Sequence, residues 1–205
     1  TSWLWWPLLV SMLLAVGLFI YYYSWVDFPW LVDETIRQLP AENRAEAADG
    51  VRQFMQPGRS TWMTVAAIVV MTLIIYTIQA TYLHLANKLV TGAEISFGGW
   101  FSFTTWTNFV NVFGSLAAFA TILMADSNQL STQALAVLSI NSLLLHANPG
   151  DAWFTWASSL TVIHFWTFFL MSIGFARWTN TAMVKSTVIV LLPWVLIFGI
   201  WALMI

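Results

Sequence analysis

Five long apolar stretches, parted by short polar gaps, leave this chain few ways to fold. The hydrocarbon core of a bilayer is roughly 30 Å thick, and a helix rising about 1.5 Å per residue crosses it in about 20 residues. Within lipid, each backbone N–H and C=O must find its partner inside the protein, so an apolar span of that length is an α-helix. The chain therefore reads as an all-α membrane protein with five transmembrane helices, near residues 3–23, 61–86, 103–125, 152–176 and 183–205. They make one transmembrane domain over 1–205. Only 8% of the residues are charged, against about 25% in a soluble domain, too few to cover a water-facing surface.

Charge and residue types narrow the function. Net charge is −2 without a basic cluster, so nucleic acid is not an expected partner. Cysteine is absent, which removes disulfides, thiolate nucleophiles and Cys-ligated metals. His84, His146 and His164 are scattered, none at the i, i+4 spacing of a helical metal pair. No phosphate-binding glycine loop occurs, and Gly98-Gly99 reads as a turn ahead of the third span. The expectation is a non-enzymatic protein with no cofactor and no metal. At the N-terminus, Thr1-Ser2-Trp3 brings no basic segment ahead of the first apolar run, so an intact signal peptide is not expected.

Aromatic residues mark the span ends. Trp3, Trp5, Trp6 and Tyr21, Tyr22, Tyr23 bracket the first, and Trp62, Trp100, Trp106, Trp153 and Trp178 fall at later boundaries. An amphipathic ring suits the headgroup layer, so these are expected to be anchors. Lys88 follows the second span and Arg177 and Lys185 the fourth, while the gap after the third holds Asp126 and Asp151 and no base. The positive-inside rule then puts the second and fourth gaps, and the N-terminus, in the cytoplasm. The first gap opposes this, because Arg37, Arg44, Arg52 and Arg59 fall outside with Asp27, Asp33, Glu34, Glu42, Glu46 and Asp49.

Two segments outside the spans are predicted to be helical. Residues 26–60 form an extramembrane helical hairpin after the first span. Its first helix begins at Asp33-Glu34 and stops before Pro40; its second lines up Ala41, Ala45, Ala48, Val51 and Met55, and Gln56-Pro57-Gly58 closes it. A solvated connector and a docking surface both fit. Residues 131–147 read as an interfacial helix before the fourth span, with Ser139, Ser142 and His146 along one side.

No Asp, Glu, Lys or Arg falls near the centre of a predicted span, which disfavours an ion-coupled carrier. The candidate intramembrane polar contacts are Gln79, Asn108, Asn111 and His164. Asn108 and Asn111 are three apart and share a helical face with Thr104, Thr107 and Ser115, with Gln79 as a partner across helices. Together with Gly114 and Ala118 this is a packing face, or else a polar groove for a headgroup. His164, near the middle of the fourth predicted span, is a hydrogen-bonding residue between helices or one that handles a proton or ligand. Ala157, Ser158 and Ser159 mark a second tight contact. Pro193 removes a backbone donor from the fifth span and is a candidate hinge, or a static bend.

From residue 61 onward the order of pieces resembles the Ypt/Rab-interacting-protein (YIP) domain family in its bacterial form. The resemblance rests on TYLHLANKLVTGAEISFGGWF, on TTWTNFVNVFGSLAAF, on DAWFTWASSLTVIHFWTFFLMSIGFARW ending near Gly174-Phe175, and on Pro193-Trp194 in the last span. It implies no catalytic set. Eukaryotic relatives are membrane adaptors for small GTPases, and some bacterial relatives look like accessory subunits of macrolide-exporter-type ABC systems. The resemblance thus implies a multi-pass accessory or scaffold protein of the bacterial inner membrane. Its partners would be the bilayer and another membrane protein or a second copy. The alternative is a small carrier or channel for a lipid or neutral solute, using the polar patch in spans two to four.

Overall fold

The computed structural model describes residues 5–39 and 43–205. All regular structure among them is helical, with no strand. In chain order the helices are α1 (Trp5–Trp25), α2 (Phe28–Arg37), α3 (Arg44–Phe54), α4 (Pro57–Val90), α5 (Phe97–Asn108), α6 (Asn111–Leu123), α7 (Phe154–Ser159), α8 (Val162–Thr179) and α9 (Met183–Leu203). Four segments are long and apolar enough to cross a membrane: α1, α4, α5 with α6 taken together, and α9. This is a multi-pass membrane protein.

The helix ends follow local chemistry. Asp27 starts α2 by accepting a hydrogen bond from the Trp30 amide at 3.2 Å, with proline in the first turn, where its missing N–H costs nothing. That cap lies six residues ahead of the predicted start at Asp33. A carboxylate beside exposed amides outcompetes one placed within the helix. Ser96 caps α5 through the Gly99 amide at 3.2 Å, so Gly98 and Gly99 belong to the first turn of that helix and not to a turn before it. The turn joining α2 to α3 falls at 40–42, outside the described residues, as does Ala41 of the predicted small-residue face. In α3, Ala48 and Val51 are half-buried and Ala45 is exposed; Met55, half-buried, follows the helix as its cap.

Three expected helices are interrupted. The third predicted span, 103–125, is broken between α5 and α6. The fourth predicted span, 152–176, breaks at Leu160-Thr161. There Thr161 is extended and caps α8, while the Leu160 carbonyl accepts from the Ile140 amide at 2.7 Å. The interfacial helix predicted over 131–147 is also absent as a continuous element. In its place are a 3₁₀ turn, Thr132–Leu135, and a wide turn, Asn141–Leu145. Asn141 causes the departure: its side chain accepts from the Ala147 amide at 2.9 Å and donates to the Ala147 carbonyl at 3.2 Å. A short amide side chain that bonds nearby backbone displaces the helical ladder. Ser139 is consequently buried while Ser142 and His146 are exposed, so the three do not share a face.

The chain divides into two compact units. One comprises residues 12–69 and 113–160. Its core joins Leu18, Tyr22 and Val26 of α1, Phe28 and Leu31 of α2, Ala118 and Ile122 of α6, and Leu135. Tyr22, fully buried, donates its hydroxyl to the Leu130 carbonyl at 2.7 Å, and the Asp27 amide donates to the Asn128 carbonyl at 2.9 Å. The segment after α6 is thereby pinned to the α1–α2 corner. α3 returns along α2, with Arg52 of α3 3.7 Å from Asp33 of α2. Ala157 is wholly buried; Gly114 touches nothing that a Cβ would reach.

The other unit comprises, among the described residues, 5–11, 70–112 and 161–205. Its core draws Ala80 and Leu83 from α4, Trp100 and Phe103 from α5, Met171 and Phe175 from α8, and Ile189 and Val190 from α9. α8 packs along α9 on one side and α5 on the other.

Candidate functional site

The polar chemistry within the apolar helices gathers at the junction of α5 and α6. Phe109 and Val110 interrupt the helix: the Phe109 amide bonds back to Trp106 at 3.3 Å and Val112 to Phe109 at 3.0 Å, three residues back in each case. A tightened turn of this kind leaves carbonyls without their usual partners, and in lipid those must be satisfied by the protein. Asn111 does this by donating to the Asn108 carbonyl at 2.8 Å. Asn108 in turn donates to the Thr104 carbonyl at 2.9 Å and, across helices, to Oε1 of Gln79 on α4 at 2.7 Å. The remaining Gln79 donor lies 3.4 Å from the Met171 sulfur on α8. Three amides thus join α4, α5 and α8 at one level.

A second polar contact forms one turn before Pro193. Proline has no N–H, so the carbonyl of Ile189, four residues earlier, loses its helical donor. The Tyr82 hydroxyl of α4 takes that place, donating to the Ile189 carbonyl at 2.6 Å. α9 runs continuously through Pro193 from Met183 to Leu203, and the vacancy that proline creates becomes a tether between α4 and α9.

His164 does not join the amides. It sits in the first turn of α8, where its ring nitrogen lies 3.1 Å from the Thr161 amide and 2.8 Å from the Thr161 hydroxyl. This is a capping box with histidine in the place usual for Glu or Gln. It therefore opens α8 and does not lie within one continuous helix over 152–176. Its ring rests against Phe168 and Trp194, centroids 6.2 Å away in both cases.

Trp100 also departs from expectation. It is fully buried, with Phe175 at 5.2 Å, Phe103 at 5.4 Å and Trp178 at 5.9 Å between ring centroids. Close approach of α5 to α8 depends on Gly174, because a Cβ there would overlap the Phe103 ring. Trp62, Trp106, Trp153 and Trp178 stay exposed.

The Yip1 domain family profile matches residues 1–204. The chain belongs to the Yip1 domain family. No curated protein and no solved structure matches it.

In this Yip1-domain protein the resemblance seen from residue 61 onward extends over the first helices as well. Two organising residues were missed in the sequence, Tyr82 and Asn87. Asn87, fully buried, donates to the Ala93 carbonyl at 2.8 Å and accepts from the Thr91 hydroxyl. Its own carbonyl takes the Gly92 amide at 2.8 Å, with Gly92 at φ +69, a left-handed conformation that glycine adopts without strain. Asn87 therefore shapes the loop that turns α4 into α5. Its signal was an amide one turn before a glycine at the end of an apolar run, hidden beside the more conspicuous Lys88.

Proposed function

We propose that this Yip1-domain protein is a non-enzymatic accessory or scaffold subunit that binds another membrane protein, or a second copy of itself, within the bilayer. The reading includes a bacterial-type member in the inner membrane, five crossings with the α7–α8 segment as the fourth, a cytoplasmic N-terminus, and an ABC-type export system as the partner. One observation carries it: the amides of the membrane interior are turned inward onto this chain's own side chains and backbone, whereas the apolar face of α4 is left uncovered. Met71, Ile74, Ile75 and Ile78, at helical spacing on one side, all stand exposed. At 34 residues, α4 reaches about 51 Å, well past the roughly 30 Å hydrocarbon core. It can therefore offer a contact both within lipid and beyond it. Affinity capture of the full chain from native membranes in mild detergent should bring down a stoichiometric membrane partner. Recovery of a monomer free of any companion, after crosslinking in intact membranes, would overturn the reading.

A second reading, a carrier for a lipid or neutral solute, is favoured by the α5–α6 interruption, since broken helices at membrane depth line the binding sites of many transporters. It requires that transport by the reconstituted chain be lost in the Gln79→Leu, Asn108→Leu double variant. Unchanged flux removes that site.

A further inference from the structure

We infer that Arg177, Asn180 and Thr181 form a binding site for the phosphate of an anionic phospholipid at the membrane interface. α8 ends at Thr179, and Asn180 follows in the left-handed conformation, φ 51, which turns the chain sharply toward α9. Beside this turn lies an open groove of about 530 Å³, lined by Ile173, Ala176, Arg177, Asn180, Thr181 and Met183. The groove is apolar on the helix side and polar at the turn, as a lipid with its acyl chains along α8 and its headgroup at the helix end would require.

Arg177 is exposed and forms no ion pair among the described residues, where the only ion pairs fall in α2 and α3. A guanidinium presents a fork of donors that matches two phosphate oxygens. The Thr181 hydroxyl is set in place by Thr179, 2.8 Å away. The depth is marked by Trp178, half-exposed, with its ring against Trp100.

Charge at this end of the unit favours an anion. Lys185, at the start of α9, reaches the Val90 carbonyl at the end of α4, at 3.4 Å. Lys88 lies two residues before Val90, and Glu94 is the single acid in the loop between α4 and α5. Three cations against one carboxylate hold a net positive field where α4 and α8 end and α9 begins. Basic pockets at helix ends select anionic headgroups, with each Lys or Arg strengthening binding about five-fold.

The test is native mass spectrometry of the full chain in mild detergent, titrated with phosphatidylglycerol, phosphatidylcholine or inorganic phosphate. The expected result is preferential retention of phosphatidylglycerol, weakened about five-fold in Arg177→Gln and partly restored in Arg177→Lys. Arg59→Gln, remote in sequence and stacked on Phe54, should retain the lipid as the parent chain does, which separates loss of the site from loss of general charge. Equal retention of the two lipids, or retention unaffected by Arg177→Gln, overturns the site. Displacement of bound lipid by millimolar inorganic phosphate overturns the lipid assignment in favour of a free anion.

Discussion

Asn108 and Tyr82 show how single polar atoms earn their place in lipid. Asn108 bonds Gln79 across helices at 2.7 Å, and side-chain hydrogen bonds between membrane helices couple by roughly 0.6–1.7 kcal/mol. A double-mutant cycle with Gln79→Leu and Asn108→Leu, read by reversible unfolding in mixed micelles, should return a coupling in that range. Strictly additive effects would show that the two amides do not stabilise one another. Tyr82 offers a sharper case. Removing its hydroxyl in Tyr82→Phe leaves the Ile189 carbonyl without a donor, at a cost of about 1–3 kcal/mol. In a Pro193→Ala background the amide of residue 193 can take that carbonyl, and the Tyr82→Phe cost should largely vanish. An equal cost in both backgrounds would break the link between the proline and the tyrosine.

At the scale of helices, the α5–α8 contact is decided by Gly174. Alanine there gains about 1 kcal/mol of helix propensity, but its methyl would enter the space of the Phe103 ring. That ring is held between Trp100 at 5.4 Å and Trp178 at 5.1 Å and cannot swing away freely. Overpacking of this kind costs about 1–3 kcal/mol, so Gly174→Ala should lower the thermal midpoint in detergent. Adding Phe103→Leu should recover much of the loss. A more stable Gly174→Ala chain would mean the helices part readily there. The breaks at Phe109-Val110 and at Leu160-Thr161 follow a related logic. Both fall in segments whose hydropathy alone reads as unbroken, and in both a neighbouring Asn, Thr or His side chain takes over bonds that the regular helix would have made.

For the molecule as a whole, the crossing pattern is open to direct measurement, because the chain has no cysteine of its own. Single substitutions Glu94→Cys and Asn180→Cys should react with an impermeant thiol reagent only from the cytoplasmic side of sealed vesicles. Asp49→Cys and Asp126→Cys should react only from the opposite side. Reaction of Asp49→Cys from the cytoplasm would reverse the placement of α2 and α3, which the four arginines of the first gap already strain. The sequence by itself determined the solvent of this protein, its helical class and its long apolar segments, because those follow from composition summed over some twenty residues. It also pointed to Gln79, Asn108 and Asn111, since amides stand out against apolar neighbours. Only tertiary structure decided where the helices break, why Trp100 lies in the core, how His164 caps a helix, and which hydroxyl answers Pro193. Each of those depends on one atom meeting another from a distant part of the chain, and no local pattern records such a meeting.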